Sequence, residues 1–199
     1  MLTTRPNNAC RLSWLVEFDS MAPFTADDAN AQRLDWAILR DGGVYLYRRP
    51  EFLDEDRGWL ESNDYRLIWF DCAEWGSESE MHRALKEGLS FPDYYGNNLN
   101  AFDECVRDDL AIPDPGGLVL VLNHYDRFAK SVDVGTPKGQ GVADAILDAF
   151  ARAIRQHMLF GKRLIILVQS DDPLIVFDGL GGVRATWNSR EWLNKNRGL

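Results

Sequence analysis

The stretch Phe91-Pro92-Asp93-Tyr94-Tyr95-Gly96-Asn97-Asn98-Leu99-Asn100-Ala101-Phe102-Asp103-Glu104-Cys105 takes the chain through a tight aromatic turn into a short acidic helix. Pro92 fixes its own φ and has no N–H, so the helical pattern before it must stop there. Gly96 is expected to supply a backbone conformation that a residue with a Cβ resists. Asn98 is a good N-cap, and Leu99, Phe102, Val106 and Leu110 follow it at roughly helical spacing. Asn100, Glu104 and Asp108 recur every four residues and stack on the opposite face.

Between Pro92 and Pro115 the acids are Asp93, Asp103, Glu104, Asp108, Asp109 and Asp114, against the single base Arg107. A solvated surface helix can carry such a run without any function. Beside Tyr94-Tyr95 the run becomes an aromatic-plus-acid constellation, a composition typical of interface hot spots.

The pattern Pro-acid-Tyr-Tyr-Gly-x-Asn-Leu-x-Ala, here Pro92 to Ala101, with the acid-Cys pair Glu104-Cys105 after it, resembles the barstar family of intracellular ribonuclease inhibitors. The likeness extends more loosely from about Tyr65 to Ser170. It implies an α/β fold with a barstar-like parallel central sheet flanked by helices. It also implies that the helix and its preceding turn plug a ribonuclease active site. Carried over position by position, the contacts would be Tyr94, Tyr95, Gly96, Asn98, Leu99, Asn100, Asp103 and Glu104. Glu104 stands where the family has the aspartate that reaches the enzyme's phosphate site, and Asp103 replaces a tryptophan. Asn100 and Gln156 stand at positions that are acidic in the family.

Outward from this stretch, Tyr65 to Phe70 reads as the first core strand. Ser77 with Glu80 gives a capping-box start to a helix that buries Met81, Ala84, Leu85 and Leu89. The loop Ala111 to Gly117 is rich in turn residues. Leu118 to Leu122 is a continuous apolar run, as in a strand buried on both faces. A short helix is expected near Asp126 to Ser131. Val142, Ala145, Ile146, Ala149, Phe150, Ala153 and Ile154 trace a strongly amphipathic helix, and Leu164 to Val168 is the third buried strand. Strands alternating with helices predict a parallel sheet.

The ends of the chain lie outside the likeness. A strand is expected at Trp14 to Phe18. Leu34–Leu39 and Val44–Tyr47 look like strands of a hairpin around Asp41-Gly42-Gly43. Glu51 to Asp64 is charged, with Trp59 as its anchor. Leu174–Phe177 and Val183–Trp187 suggest a second hairpin around Asp178-Gly179, before a final helix capped by Asn188 or Ser189 and holding Trp192 and Leu193. The chain thus divides into an N-terminal extension (1–64), a barstar-like core (65–170) and a C-terminal extension (171–199), the three forming either separate pieces or one decorated domain.

Composition narrows the function. The 199 residues are 45% hydrophobic and carry a net charge of −9, which suits a folded protein and a basic partner rather than nucleic acid. Cys10, Cys72 and Cys105 are widely spaced and form no zinc motif, so neither metal nor cofactor is expected. There is no signal-like start and no membrane-length apolar run, so the expected location is the cytoplasm and the expected state a monomer. His82, His124 and His157 fall in no catalytic motif, and His82 reads as a structural or exposed residue. The expected role is that of an immunity or antitoxin protein with no catalytic residue of its own. It would bind one-to-one to a basic nuclease toxin, most simply a ribonuclease. Two alternatives remain open: a regulatory binding protein on the same scaffold for a non-nuclease partner, and a hydrolase using an acidic pair with a histidine, or Cys105 or Cys72 as nucleophile.

Overall fold

The computed structural model describes residues 24–137 and 139–199. The strand expected at Trp14–Phe18 and the thiol of Cys10 lie outside the described residues. In order, the elements are α1 (Ala26–Asn30), α2 (Leu34–Arg40), β1 (Val44–Tyr47), α3 (Pro50–Ser62), β2 (Tyr65–Asp71), α4 (Glu78–Leu89), α5 (Leu99–Asp108), β3 (Gly117–Asn123), α6 (Tyr125–Val132), α7 (Val142–Leu159), β4 (Leu164–Gln169) and β5 (Thr186–Trp187). The five strands form one sheet in the order β2-β3-β4-β1-β5, and every pairing is parallel. The predicted α/β class, with a parallel sheet flanked by helices, is the observed one.

Strand order decides where the helices lie. The chain leaves β1, crosses to the far edge at β2, then returns through β3 to β4. Right-handed crossovers therefore put α3 on one face and α4 to α7 on the other. β3 and β4 run through the middle, so their side chains meet helices on both sides. Leu118 to Leu122 and Leu164 to Val168 are all fully buried, which explains their unbroken apolar runs. Phe102 of α5 meets Phe150 of α7 edge to face, with centroids 5.1 Å apart. That contact docks the acidic helix onto the long amphipathic one.

Both expected hairpins are absent. Leu34–Arg40 is a helix, because Leu34, Ile38 and Leu39 recur at helical spacing, a pattern that so short a run leaves ambiguous. Asp41 caps it, and Gly42 and Gly43, at φ of +106° and +80°, turn the chain into β1. β1 then pairs parallel with β4, Val44 opposite Ile166 and Tyr47 opposite Gln169. Near the C-terminus only Thr186–Trp187 is strand, and it adds to β1 in parallel, with Tyr45 opposite Thr186. A single antiparallel bridge, Leu180 to Val183, closes around Gly181-Gly182, beyond the presumed turn at Asp178-Gly179. Phe177 is drawn inward instead, where its ring meets that of Tyr125. The final α-helix is replaced by a short 3-10 turn, Asn194–Arg197. The Asn188 side chain does not cap it; the amide donates to the Leu46 carbonyl and to the Glu191 carboxylate.

Two buried carboxylates tie the extensions to the sheet. Asp35 of α2, fully buried, accepts from Arg33, from the Tyr65 hydroxyl at 2.8 Å and from the Trp36 N–H. Glu191, also fully buried, accepts from the backbone N–H groups of Arg48 and Arg49, each at 3.0 Å. Buried charge is tolerated only when so fully satisfied.

Candidate functional site

The turn before α5 is fixed from below. α4 starts at Ser77, whose hydroxyl accepts from the Glu80 N–H, and ends with Ser90 in the left-handed conformation. Phe91 then packs inward against Tyr95, with ring centroids 5.0 Å apart. Tyr95 is only 4% exposed, and its hydroxyl meets Nδ1 of His82 at 2.5 Å. His82 is buried on α4, with Nε2 3.4 Å from a Glu78 carboxylate oxygen. Burial holds its pKa below the usual histidine value, so the neutral ring accepts from Tyr95 and donates to Glu78. The Tyr95 ring thus packs into the core of the free chain, where the turn needs an internal anchor, and offers a partner little surface. The structural reading of His82 agrees with its position.

Gly96 also plays a different part from the one expected. The left-handed residue of the turn is Asn97, at φ 48°. A Cβ on Gly96 would lie 2.9 Å from Nδ2 of Asn98, the same amide that donates to the Gly96 carbonyl at 3.1 Å. Glycine permits that close approach. Asn98 is the N-cap, its Oδ1 accepting from the Ala101 N–H at 3.0 Å. Both ends of its amide are thus used within the turn.

Of the remaining positions, Leu99 and Asp103 are half-buried, while Tyr94, Asn100 and Glu104 are exposed. Tyr94 is 72% exposed, and its hydroxyl donates to Asp109 at 2.7 Å, which holds the ring against the C-terminal end of α5. The same bond pushes the phenol pKa up to about 12. Asp103 accepts from Arg152 of α7 at 2.8 Å and lies 3.3 Å from Arg107. Arg152 also pairs with Asp148, and Gln156 donates to Asp108 at 3.4 Å. Glu104 makes no hydrogen bond or ion pair among the described residues and stands free on the outer face of α5. Sequence reasoning missed Asp109, Arg152 and His82 as supports of this surface; each meets its partner through a tertiary contact that spacing does not encode.

From behind, His157 of α7 donates through Nε2 to the Val106 carbonyl of α5 at 2.9 Å. Burial lowers its pKa too. His124 is bonded to Asp71 at 2.8 Å, at the ends of β3 and β2. Of the two described thiols, Cys72 is fully buried, which raises its pKa well above the usual value, and burial pushes that of Cys105 up to about 11, so both favour the protonated, less nucleophilic form. Among the described residues no group of three or more His, Cys, Asp or Glu side chains could hold a metal ion, and no helix is long and apolar enough to cross a membrane. The site is a ridge rather than a cleft. A cavity of about 700 Å³ lies elsewhere, between α2 and the C-terminal segment, with Trp36, Trp187 and Trp192 in its wall. An exposed, acidic, partly aromatic helix face suits docking into another protein's groove.

The family described as barstar (barnase inhibitor) matches residues 65–160, which run from β2 to the end of α7. A Bacillus subtilis (strain 168) protein named "Putative ribonuclease inhibitor YrdF" is 36% identical over 61 residues, or 31% of this chain. The matched part spans 63% of that relative's length.

Proposed function

Since residues 65–160 match the barstar family, we propose that this protein is a stoichiometric inhibitor of a basic ribonuclease, an immunity protein that docks α5 and the Tyr94 turn into the enzyme's active site. The observation that carries this reading is Glu104, an exposed carboxylate without an internal partner at the position of the family's central contact. In the complex Glu104 takes the place of a substrate phosphate among the enzyme's cationic groups. Asn100, one helical turn before it, offers a neutral hydrogen bond. Tyr94 and Leu99 exclude water around the pair, which strengthens the central charge contact. A net charge of −9 speeds encounter with a basic enzyme, while the desolvated centre slows dissociation. Asp103 serves through the ridge itself, locked to Arg152.

A second reading is favoured by that same Asp103–Arg152 pair. Together with the uncharged Asn100 and Gln156, it leaves the ridge less acidic than the family pattern implies, which suits regulation of a less basic, non-nuclease partner. Affinity capture from source-cell lysate and culture medium separates the two. The first reading expects wild type to retain a ribonuclease that a Glu104→Arg bait does not retain. Retention of a protein without nuclease activity, on the same Glu104 dependence, would favour the second.

A further inference from the structure

Arg152, Gln156 and Phe160 fall at four-residue intervals and form one row along α7 and its C-cap. The first two are tied to the ridge: Arg152 to Asp103 and Gln156 to Asp108. The row therefore borders α5 and runs in the same direction along it. Phe160 comes next, about 6 Å beyond Gln156 at 1.5 Å per helical residue. It is 63% exposed, and the adjacent Leu159 is 79% exposed. Tyr94, 72% exposed, is held by Asp109 at the C-terminal end of α5. The acidic helix thus has exposed apolar side chains close by, Leu159 and Phe160 at the end of the α7 row that pairs with it. Burying an exposed Leu–Phe pair costs the free chain nothing in folding and adds apolar area on association.

We propose that Leu159 and Phe160 are a second, apolar anchor of the docking surface, entering an apolar depression that the ribonuclease carries beside the cationic cleft occupied by Glu104. The inference rests on the inhibitor reading and adds to it the character of the partner: a basic cleft bordered by an apolar pocket on the side facing α7. Leu159 and Phe160 lie past Gln156, which stands at a position that is acidic in the family pattern. It gives the partner a recognition element independent of charge, which compensates for the uncharged Asn100 and the neutralised Asp103.

The test uses the full chain and, as probe, the ribonuclease retained by wild type, with inhibition of RNA cleavage as readout. Three variants are compared: Leu159→Ala/Phe160→Ala, Glu104→Arg, and Leu174→Ala as a control at another exposed apolar site (67% exposed). The double variant is expected to keep the wild-type melting temperature and to bind about 30-fold more weakly or worse, the hot-spot range. Leu174→Ala is expected to bind as wild type. If Glu104→Arg weakens inhibition and the double variant does not, the apolar anchor is refuted while the inhibitor reading stands. If the double variant weakens inhibition and Glu104→Arg does not, the anchor stands and the central role of Glu104 fails. If wild type retains no RNA-cleaving protein, both fall together.

Discussion

Arg152 reaches across from α7 to grip the Asp103 carboxylate at 2.8 Å, so one of the two adjacent acids at the centre of the ridge is already neutralised. Its neighbour, Glu104, points out unpaired. The chain thereby singles out one carboxylate from an acidic run that the sequence presents as a set. The two side chains differ in role for a geometric reason: one helix position apart is 100° of rotation, enough to turn Asp103 toward α7 and Glu104 toward solvent.

Glu104 and Asp103 are therefore expected to respond differently to substitution. Glu104→Ala should weaken inhibition about 30-fold or more with no change in stability. Asp103→Ala should cost less than about 1 kcal/mol of stability, as expected of a partly exposed pair. Its effect on inhibition should be several-fold smaller than that of Glu104→Ala. Titrations of both variants against the ribonuclease, with denaturant unfolding alongside, check the contrast.

Tyr95 acts on stability rather than on contact. Tyr95→Phe keeps the packing on Phe91 but leaves Nδ1 of buried His82 without its donor, at a cost of about 1–3 kcal/mol. Tyr95→Ala also opens a cavity and should cost about 3–5 kcal/mol. Urea unfolding measures both. A folded Tyr95→Phe protein that inhibited more than tenfold worse would show that the hydroxyl meets the partner after all.

Stability should fall in mild acid. His82 and His157 have folded pKa values below 6.5, so near that pH the unfolded chain binds more protons than the folded one. Their contribution is fully present above the unfolded value and is lost as the pH drops from about 6.5 toward the lower folded values, by up to about 1.4 kcal/mol per pH unit for each histidine. Carboxylates such as Asp71, lowered chiefly by its bond to His124, contribute in a separate window below pH 4. Unfolding free energies measured from pH 8 to pH 5 should be flat at first and then decline. A His157→Gln variant should show a shallower decline.

The extensions should be inseparable from the core in unfolding. Asp35→Ala strips the buried partner from Arg33 and from the Tyr65 hydroxyl, and should cost about 3–5 kcal/mol. Asp35→Asn, which keeps an acceptor for Tyr65, should cost less. A single cooperative transition in calorimetry, moved as a whole by Asp35→Ala, is the expected result. Two transitions, only one of them shifted, would separate residues 1–64 from the sheet.

The parts of the fold that could be read from the chain were those whose burial leaves a one-dimensional trace. Leu118–Leu122 and Leu164–Val168 are sandwiched between helices and so are apolar throughout, and α7 shows its stripe because only one side is covered. α5 was legible from its Asn98 cap. The ends were not. Leu34–Arg40 is held as a helix by Asp35, whose partners Tyr65 and Arg163 are distant in sequence. β5 is two residues long and pairs only because Glu191 and Asn188 lock the segment after it to β1. Within the site, alternation and spacing placed Glu104 and Asn100 outside. They could not reveal that Tyr95, unlike Tyr94, turns inward to His82.

The most direct measurement is a titration of the captured ribonuclease with the purified full chain, following RNA cleavage against molar ratio, in parallel with Glu104→Arg. The account predicts a linear loss of activity that reaches zero at one inhibitor per enzyme for wild type, and a shallow, incomplete curve for the variant. Superimposable curves for the two proteins would contradict it, as would residual activity that plateaus at excess wild type.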